Sequence, residues 1–264
     1  MIYENFVNQL NIKNGDRIWL SSELIQLILQ FKAKGIRFDA SALLNAFQHT
    51  IGESGTLMLP TFSFEFSNNQ YYDINKTKGT TGALGNIALQ REDFRRTQHP
   101  MHSFAVWGKD QKKLISMKNK HSFGFDSPFG YCVSNHVKQI ILGTDYVHAM
   151  TFIHYAEVVC NVPYRFTKNF TGTYLTEEGI EEQRTYDYAA RKLEIEPEER
   201  FNRIGQILEE RGVSKRIDID GVECYVIDLA MSFLLICKDI IQNECANIYD
   251  FNIPRNQIWE NKRY

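Results

Sequence analysis

Three polar side chains recur at intervals of three in the segment TFIHYAEVVC, namely Thr151, His154 and Glu157. If residues 151–160 form a helix, this spacing places a hydroxyl, an imidazole and a carboxylate on one face. An imidazole titrates near neutral pH, so it can accept a proton from an amine, and a neighbouring carboxylate can orient the ring. The pattern predicts a general base, and an exposed His–Glu pair that only supports the helix is the alternative on spacing alone.

A second polar cluster, RRTQHPMHSF, begins at Arg95 and runs directly into a predicted strand. Arginines and hydroxyls at such a junction suit phosphate oxygens and the amide-rich arm of a cofactor, although an exposed basic loop has the same composition. His99 and His102 are spaced like two metal ligands on a helix, but Pro100 disfavours a helix there. We therefore expect no metal site.

A glycine-rich segment, GTTGALG at residues 79–85, lacks the G-x-G-x-x-G spacing and the G-K-[ST] ending of nucleotide-binding loops. It gives no support for a dinucleotide or nucleoside triphosphate site. It predicts a loop and a helix start whose N–H groups can meet an anion.

Charge and composition disfavour several classes of protein. The 30 Lys and Arg residues nearly balance the 32 Asp and Glu residues, so nucleic acid binding is not expected. The N-terminus lacks the basic start and apolar run of a signal peptide, and the apolar stretch at residues 226–236 is far shorter than the roughly 20 residues that span a bilayer. Five cysteines without a C-x-x-C pair fit a reducing compartment. We expect a cytoplasmic protein that does not enter the membrane.

Short apolar runs alternate with helical patterns along the chain, which predicts an α/β fold. Strands are predicted at residues 17–22, 56–59, 104–106 and 139–142, and helices at 39–52, 82–90 and 151–160. The acidic stretch at residues 176–210 is interpreted as solvated helix faces and a loop, with an acidic rim for a cationic substrate as the alternative. No internal repeat or low-complexity linker is present, so we expect a single domain.

Five sequence blocks extend from residue 15 to about residue 165: GDRIWLSSEL, GTLMLPTFSF, TTGALGNIALQREDFRRTQHPMHSFAVWG, DSPFGY and IILGTDYVHAMTFIHYAE. In this order they resemble the aminoglycoside 3-N-acetyltransferase family, also called the antibiotic N-acetyltransferase family, which is distinct from the GNAT acetyltransferases. The resemblance implies one domain of this family over residues 1–264. It also implies three α/β/α layers around a mixed, largely parallel central sheet, with a helical C-terminal section.

The activity that the resemblance implies is direct transfer of an acetyl or related acyl group from coenzyme A to an amine, without an acyl-enzyme or a metal. The family's T-x-x-H-x-x-E pattern falls on Thr151, His154 and Glu157, so His154 is the expected base and Glu157 its partner. The expected coenzyme A contacts are Ser21, Ser22, Pro60, Thr61, Thr97 and Ser103. Ser103 and Thr151 are the candidates for stabilising the oxyanion that develops on the thioester carbonyl.

Two segments depart from the family pattern. The HSS that usually follows the first strand reads SSE at residues 21–23, so a serine replaces a histidine and a carboxylate enters. The family's R-S-x-H-P reads RTQHP at residues 96–100, which keeps the hydroxyl. The first change alters the side chains that can meet the coenzyme.

Two classes of amino sugar are candidates for the acceptor amine. An aminoglycoside is a polycation, which the acidic residues 176–210 can attract. A nucleotide-linked amino sugar needs cations for its diphosphate, and Arg95, Arg96 and residues 118–120 are candidates for them.

The sequence is compatible with a homodimer. It is also compatible with two other functions. One is a metal-dependent hydrolase built on His99, His102, His154 and Glu157. The other is a protein of the same fold that binds coenzyme A without turnover, for which the altered turn at residues 21–23 is the motive.

Overall fold

The computed structural model describes residues 2–260. Its strands are β1 (Arg17–Ser22), β2 (Thr56–Pro60), β3 (Tyr71–Asp73), β4 (Arg95–Arg96), β5 (Phe104–Gly108), β6 (Lys138–Leu142), β7 (Arg165–Leu175), β8 (Glu181–Arg191), β9 (Pro197–Glu199), β10 (Ser214–Ile219), β11 (Val222–Asp228) and β12 (Tyr249–Phe251). Its helices are α1 (Ile2–Asn8), α2 (Leu24–Ala33), α3 (Ala40–Ile51), α4 (Glu65–Asn69), α5 (Ala83–Leu89), α6 (Gln111–Ile115), α7 (Pro128–Ser134), α8 (Tyr146–Ala149), α9 (Ile153–Val159), α10 (Phe201–Glu210), α11 (Leu229–Asn243) and α12 (Arg255–Trp259).

A mixed seven-stranded sheet forms the centre, in the order β10-β11-β6-β1-β2-β5-β4. The three middle strands, β6, β1 and β2, run parallel, and β5 and β11 flank them in the antiparallel direction. Strand β1 is buried on both faces, because Ile18 and Leu20 pack on one side and Trp19 on the other. A strand between two covered faces is apolar at successive positions, which is why RIWL reads as a continuous run.

Helices cover both faces of this sheet and bury a separate core on each. Helices α1, α2, α3 and α5 pack on the face of Ile18 and Leu20, and α7, α9, α10 and α11 contribute to the core on the face of Trp19. The predicted three-layer α/β/α fold is therefore confirmed. Among residues 2–260, no helix is long and apolar enough to cross a membrane.

Local signals account for the predicted helices at residues 39–52 and 82–90, which form α3 and α5. The Asp39 carboxylate accepts a hydrogen bond from the backbone N–H of Ala42, and Gly52 ends α3 with a positive φ of 63°. The helix predicted at residues 151–160 begins two residues later, at Ile153, because Thr151 and Phe152 form the turn that links α8 to α9.

The acidic stretch at residues 176–210 departs most from expectation. It starts as the turn of a long antiparallel hairpin, β7–β8, which pairs with β3 in a second, three-stranded sheet, and it continues through β9 into α10. Strand β8 turns Tyr186 and Tyr188 toward a small aromatic core around Phe66, Tyr72 and Tyr174. Aromatic residues at alternate positions are typical of a strand. In this segment the many charged residues between them obscure that alternation in the sequence.

Candidate active site

Helix α9 carries His154 and Glu157 on one side, one turn apart. The imidazole Nδ1 of His154 lies 2.8 Å from Glu157 Oε2, and the His154 side chain is 18% exposed. Glu157 is fully buried. Tyr164 donates its hydroxyl to Glu157 Oε1 at 2.6 Å, so both carboxylate oxygens have a partner.

Arg165, the first residue of β7, supplies the positive charge beside this carboxylate. Its Nε lies 2.6 Å from Glu157 Oε2, in an ion pair whose N–H is not aligned for a hydrogen bond. Burial raises the pKa of the Glu157 carboxyl. Arg165 and His154 lower this pKa by more than burial raises it, so the net value is about 2. Burial lowers the pKa of Arg165, and Glu157 more than offsets this, so the net shift is upward. The carboxylate is therefore ionised at neutral pH, and the alternative of an exposed His–Glu pair is wrong.

The charge state of Glu157 decides which nitrogen of His154 carries the proton. Since an ionised carboxylate has no proton to give, the 2.8 Å contact is a hydrogen bond when Nδ1 carries the proton, and the lone pair is then on Nε2. Within residues 2–260 no hydrogen bond reaches Nε2. Phe123 and Phe201 make T-shaped contacts with the ring, with centroids at 5.7 Å and 6.2 Å. This arrangement can accept a proton at Nε2.

A cavity of about 260 Å³ opens where the parallel strands β1 and β2 end. The predicted residues Ser21, Ser22, Pro60 and Thr151 line it, together with Glu23 from the departing turn. His154 is not among the residues that line this cavity, but its backbone N–H donates at 3.1 Å to the carbonyl of Thr151, which does line it. Ligands bind at the carboxyl ends of parallel strands in many α/β folds.

Part of the cavity wall was not predicted. Thr80, Thr81 and Gly82, from the glycine-rich segment before α5, line it opposite Ser22. Gly82 has a φ of 78°, and a Cβ atom there would lie 3.2 Å from the Ser22 carbonyl oxygen. The segment's loop-and-helix-start pattern was a signal for such a wall, although it did not reveal which strand the loop meets.

Three of the predicted coenzyme contacts do not line this cavity. Thr61, Thr97 and Ser103 are buried, and their hydroxyls are used within the protein. Thr61 Oγ1 and Ser103 Oγ are 2.9 Å apart, and Thr97 Oγ1 accepts from the Phe104 N–H at 2.9 Å. The sequence places these hydroxyls near β2 and β5, but the antiparallel pairing of those strands turns them to each other.

Arg96 belongs to the same buried network, so it is neither part of an exposed basic loop nor free to bind phosphate. Its guanidinium donates to Ser103 Oγ at 2.9 Å, to the Thr61 carbonyl at 2.9 Å and to the Thr77 carbonyl. It also lies over the ring of Tyr72, 5.1 Å from the centroid. A guanidinium with these partners stabilises the loop before β5 rather than facing solvent.

His99 and His102 are buried rather than arranged as metal ligands. His99 Nδ1 accepts from the backbone N–H groups of Met101 and His102, and burial lowers the His99 pKa to about 3. The His102 ring stacks on Tyr188, with centroids 5.8 Å apart, and burial holds its pKa well below the usual value. In the part of the chain that the structure describes, no three His, Cys, Asp or Glu residues are grouped to hold a metal ion. The geometry therefore does not favour the hydrolase.

Comparisons with known proteins identify the family and the fold. A family model described as aminoglycoside 3-N-acetyltransferase matches residues 32–236. The SPbeta prophage-derived aminoglycoside N(3')-acetyltransferase-like protein YokD of Bacillus subtilis (strain 168) is 27% identical over 265 residues, which cover 90% of this chain and 91% of that protein.

Solved structures share the fold. The crystal structure of YokD has a TM-score of 0.75 at 21% identity, covering 93% of this chain and 94% of that one. Aminoglycoside acetyltransferase AAC(3)-Xa has a TM-score of 0.75 at 16% identity, with 90% of each chain covered. The binary complex of AAC-IIIb with CoASH has a TM-score of 0.73 at 15% identity, covering 91% of this chain and 95% of that one. Because the family model spans most of its length, this chain belongs to the aminoglycoside 3-N-acetyltransferase family.

Proposed function

We propose that this chain transfers an acyl group, acetyl in the simplest case, from an acyl-coenzyme A to an amino group of an amino sugar, with His154 as the general base. The observation that carries the proposal is the pairing of His154 Nδ1 with the ionised Glu157, which leaves the Nε2 lone pair available on a helix whose preceding turn places Thr151 in the wall of a polar cavity. Membership of the family supports the reaction type.

The chemistry needs one proton to move from the amine to sulfur. His154 Nε2 takes the proton that the amine nitrogen loses as it bonds to the thioester carbonyl carbon. The ring returns that proton to sulfur as the C–S bond breaks, so the products are an amide and a free thiol. Glu157 orients the ring through Nδ1 and stabilises the imidazolium between the two transfers.

The cavity at the ends of β1 and β2 is the proposed site for the pantetheine arm of the coenzyme. Its wall offers the hydroxyls of Ser21, Ser22 and Thr151, which suit the amide groups of that arm. A related structure of the same fold, AAC-IIIb, was solved with CoASH, which supports the choice of donor. Thr151 is the proposed oxyanion donor, because Ser103 Oγ is used by Thr61 and Arg96.

An aminoglycoside is the proposed acceptor class in preference to a nucleotide-linked amino sugar. Arg96, one of the expected diphosphate partners, is held by carbonyl groups inside the protein. Glu23 is the carboxylate in the wall of the coenzyme cavity, and it would repel the diphosphate of a nucleotide-linked sugar that approached the thioester there.

The experiment is an acyl-transfer assay on the purified chain with acetyl-coenzyme A and a panel of both acceptor classes. Release of free thiol and the mass of the acylated amine are measured together, with reactions lacking acceptor as the control. We expect transfer to at least one aminoglycoside. Calorimetric binding of coenzyme A without transfer to any acceptor would favour the non-catalytic alternative, and silence with every acyl donor and acceptor would remove the proposal.

A further inference from the structure

We propose that Arg165 is a positioning residue for the base: its guanidinium holds Glu157 against the imidazole of His154, and its charge opposes protonation of that ring. The inference deepens the proposed function and rests on it in one respect, namely that His154 is the group that accepts the proton.

The guanidinium is fixed by contacts on three sides. Arg165 is 7% exposed at its side chain, and its Nη1 donates to the Ala189 carbonyl on β8 at 2.9 Å. Its Nη2 lies 3.5 Å from the Tyr249 hydroxyl on β12 and 3.0 Å from His154 Nδ1, while Nε lies 2.6 Å from Glu157 Oε2. One cation therefore touches both members of the His–Glu pair from a strand of the second sheet.

These contacts give Arg165 two effects of opposite kind. By pairing with Glu157 it keeps the carboxylate ionised and in place to accept from Nδ1–H. By lying 3.0 Å from Nδ1 it also disfavours a second positive charge on the ring. Glu157 alone would favour the imidazolium strongly, and an imidazolium cannot serve as a base. Arg165 offsets that preference.

Four other titratable groups around the pair are neutral near pH 7. Burial raises the pKa of Tyr164, before β7, and of Tyr249, on β12, well above their usual value. Burial also raises the pKa of the Cys245 thiol, after α11, and lowers that of His102, before β5.

Strand β8 adds two more groups to this environment. Burial raises the pKa of the Tyr188 hydroxyl, so it stays protonated near neutral pH. Arg191, opposite Arg165 in the hairpin register, is offset by Glu199 at 3.8 Å.

The test measures the acid limb of the rate profile, which is the pH range in which kcat/KM falls as the pH is lowered. In Arg165→Gln the limb should move to higher pH by about one unit, because the imidazolium then has an unopposed carboxylate beside it. Arg165→Lys keeps the charge and should return the limb close to its original position. Arg184→Gln removes another partly buried, ion-paired arginine from the same hairpin, and it should leave the limb where it is.

Removing the negative charge of the pair should shift the acid limb in the opposite direction, which makes the test sharper. Glu157→Gln leaves Arg165 unopposed and should move the limb to lower pH. The double variant Arg165→Gln/Glu157→Gln has neither charge and should lie between the two single variants. If Arg165→Gln does not fold, the comparison of Glu157→Gln with the double variant measures the same charge in a background without a buried unpaired carboxylate.

A second readout does not depend on turnover. The Cε1–H signal of His154, assigned by its loss in His154→Ala, is followed by proton NMR across pH in the same variants. The pH midpoint of that signal should move in the same directions as the acid limb. If the wild type acylates nothing, the proposed function fails, and the ring titration still decides the role of Arg165. A limb and a midpoint that both stay fixed, with kcat/KM lowered equally at every pH, would show a purely structural role and overturn the proposal.

Discussion

In the proposed mechanism, two residues that touch Nδ1 of His154 prepare its ring to act as a base. Glu157 is ionised inside the protein because Arg165 lies 2.6 Å from it, and the ionised carboxylate fixes the proton on Nδ1 of His154. The sequence predicted the histidine and the carboxylate from their spacing. It did not predict Arg165, because no local pattern joins a strand residue to a helix eight positions earlier.

At this scale the first prediction concerns His154. We expect His154→Ala to lower kcat by about a hundredfold or more, as loss of a general base typically does, with nearly unchanged affinity for coenzyme A. Steady-state kinetics and calorimetry measure the two quantities. His49→Ala, on the exposed side of α3, is the matched control and should behave as the wild type does. A near-normal kcat in His154→Ala would end the assignment.

Glu157 should also leave a signature in folding stability. Its pKa is lower in the folded protein, at about 2, than the ordinary value of 4.5, so its ionisation stabilises the fold above pH 4.5. That stabilisation is lost as the pH falls from 4.5 toward 2. We expect Glu157→Gln to be less stable by about 3 kcal/mol at pH 7, because Arg165 is left buried without its partner. Urea unfolding should show the difference narrowing across that acid window, and a constant difference would contradict it.

The buried His99, in the loop before β5, should make the stability of the folded protein depend on pH. The folded pKa of His99 is about 3, below the ordinary 6.5, so the unfolded chain binds a proton that the folded chain does not. Stability should therefore fall as the pH drops below 6.5. Replacing His99 with Asn should flatten that slope by up to about 1.4 kcal/mol per pH unit, as removal of one such proton requires. Chemical denaturation at several pH values measures the slope, and an unchanged slope would show that His99 takes up its proton while folded.

Gly82 lies at the start of α5 and lines the cavity. Its φ of 78° disfavours any other residue, and a Cβ there would press on the Ser22 carbonyl. We expect Gly82→Ala to lose about 1–3 kcal/mol of stability, as residues forced into such conformations do, and to raise the KM for acyl-coenzyme A. Gly179→Ala is the control, because its φ of 79° imposes a similar strain while no atom lies within 4 Å of the added methyl. An unchanged KM in Gly82→Ala would remove this turn from the coenzyme site.

Elements with a local signature were predictable, and elements defined by distant pairing were not. The apolar run of β1 is a local sequence signal. So are the residues that begin and end α3, Asp39 and Gly52. The hairpin β7–β8 packs Tyr186 against Phe66, which lies far earlier in the chain, beneath a surface of charges. For the same reason the sequence located the hydroxyl of Thr61 but not the Ser103 partner that occupies it.

On the scale of the whole molecule, the two halves of the proposed site come from different sheets. The cavity belongs to the ends of β1 and β2 in the central sheet. The charge that fixes the His–Glu pair comes from the start of β7, in the three-stranded sheet.

Because the cavity and the Arg165 charge lie in different sheets, coenzyme A binding and acyl transfer can be lost separately. The hairpin β7–β8 has many exposed residues, and such edges open more readily than a core covered on both faces. At moderate urea, we expect acyl transfer to decline before coenzyme A binding does, measured by thiol release and by calorimetry on the same samples. Coincident loss of both would show that the sheets unfold as one unit. Under the proposed function, early opening of the hairpin would leave a population that still sequesters the acyl donor but no longer modifies the acceptor, so donor would be held without product.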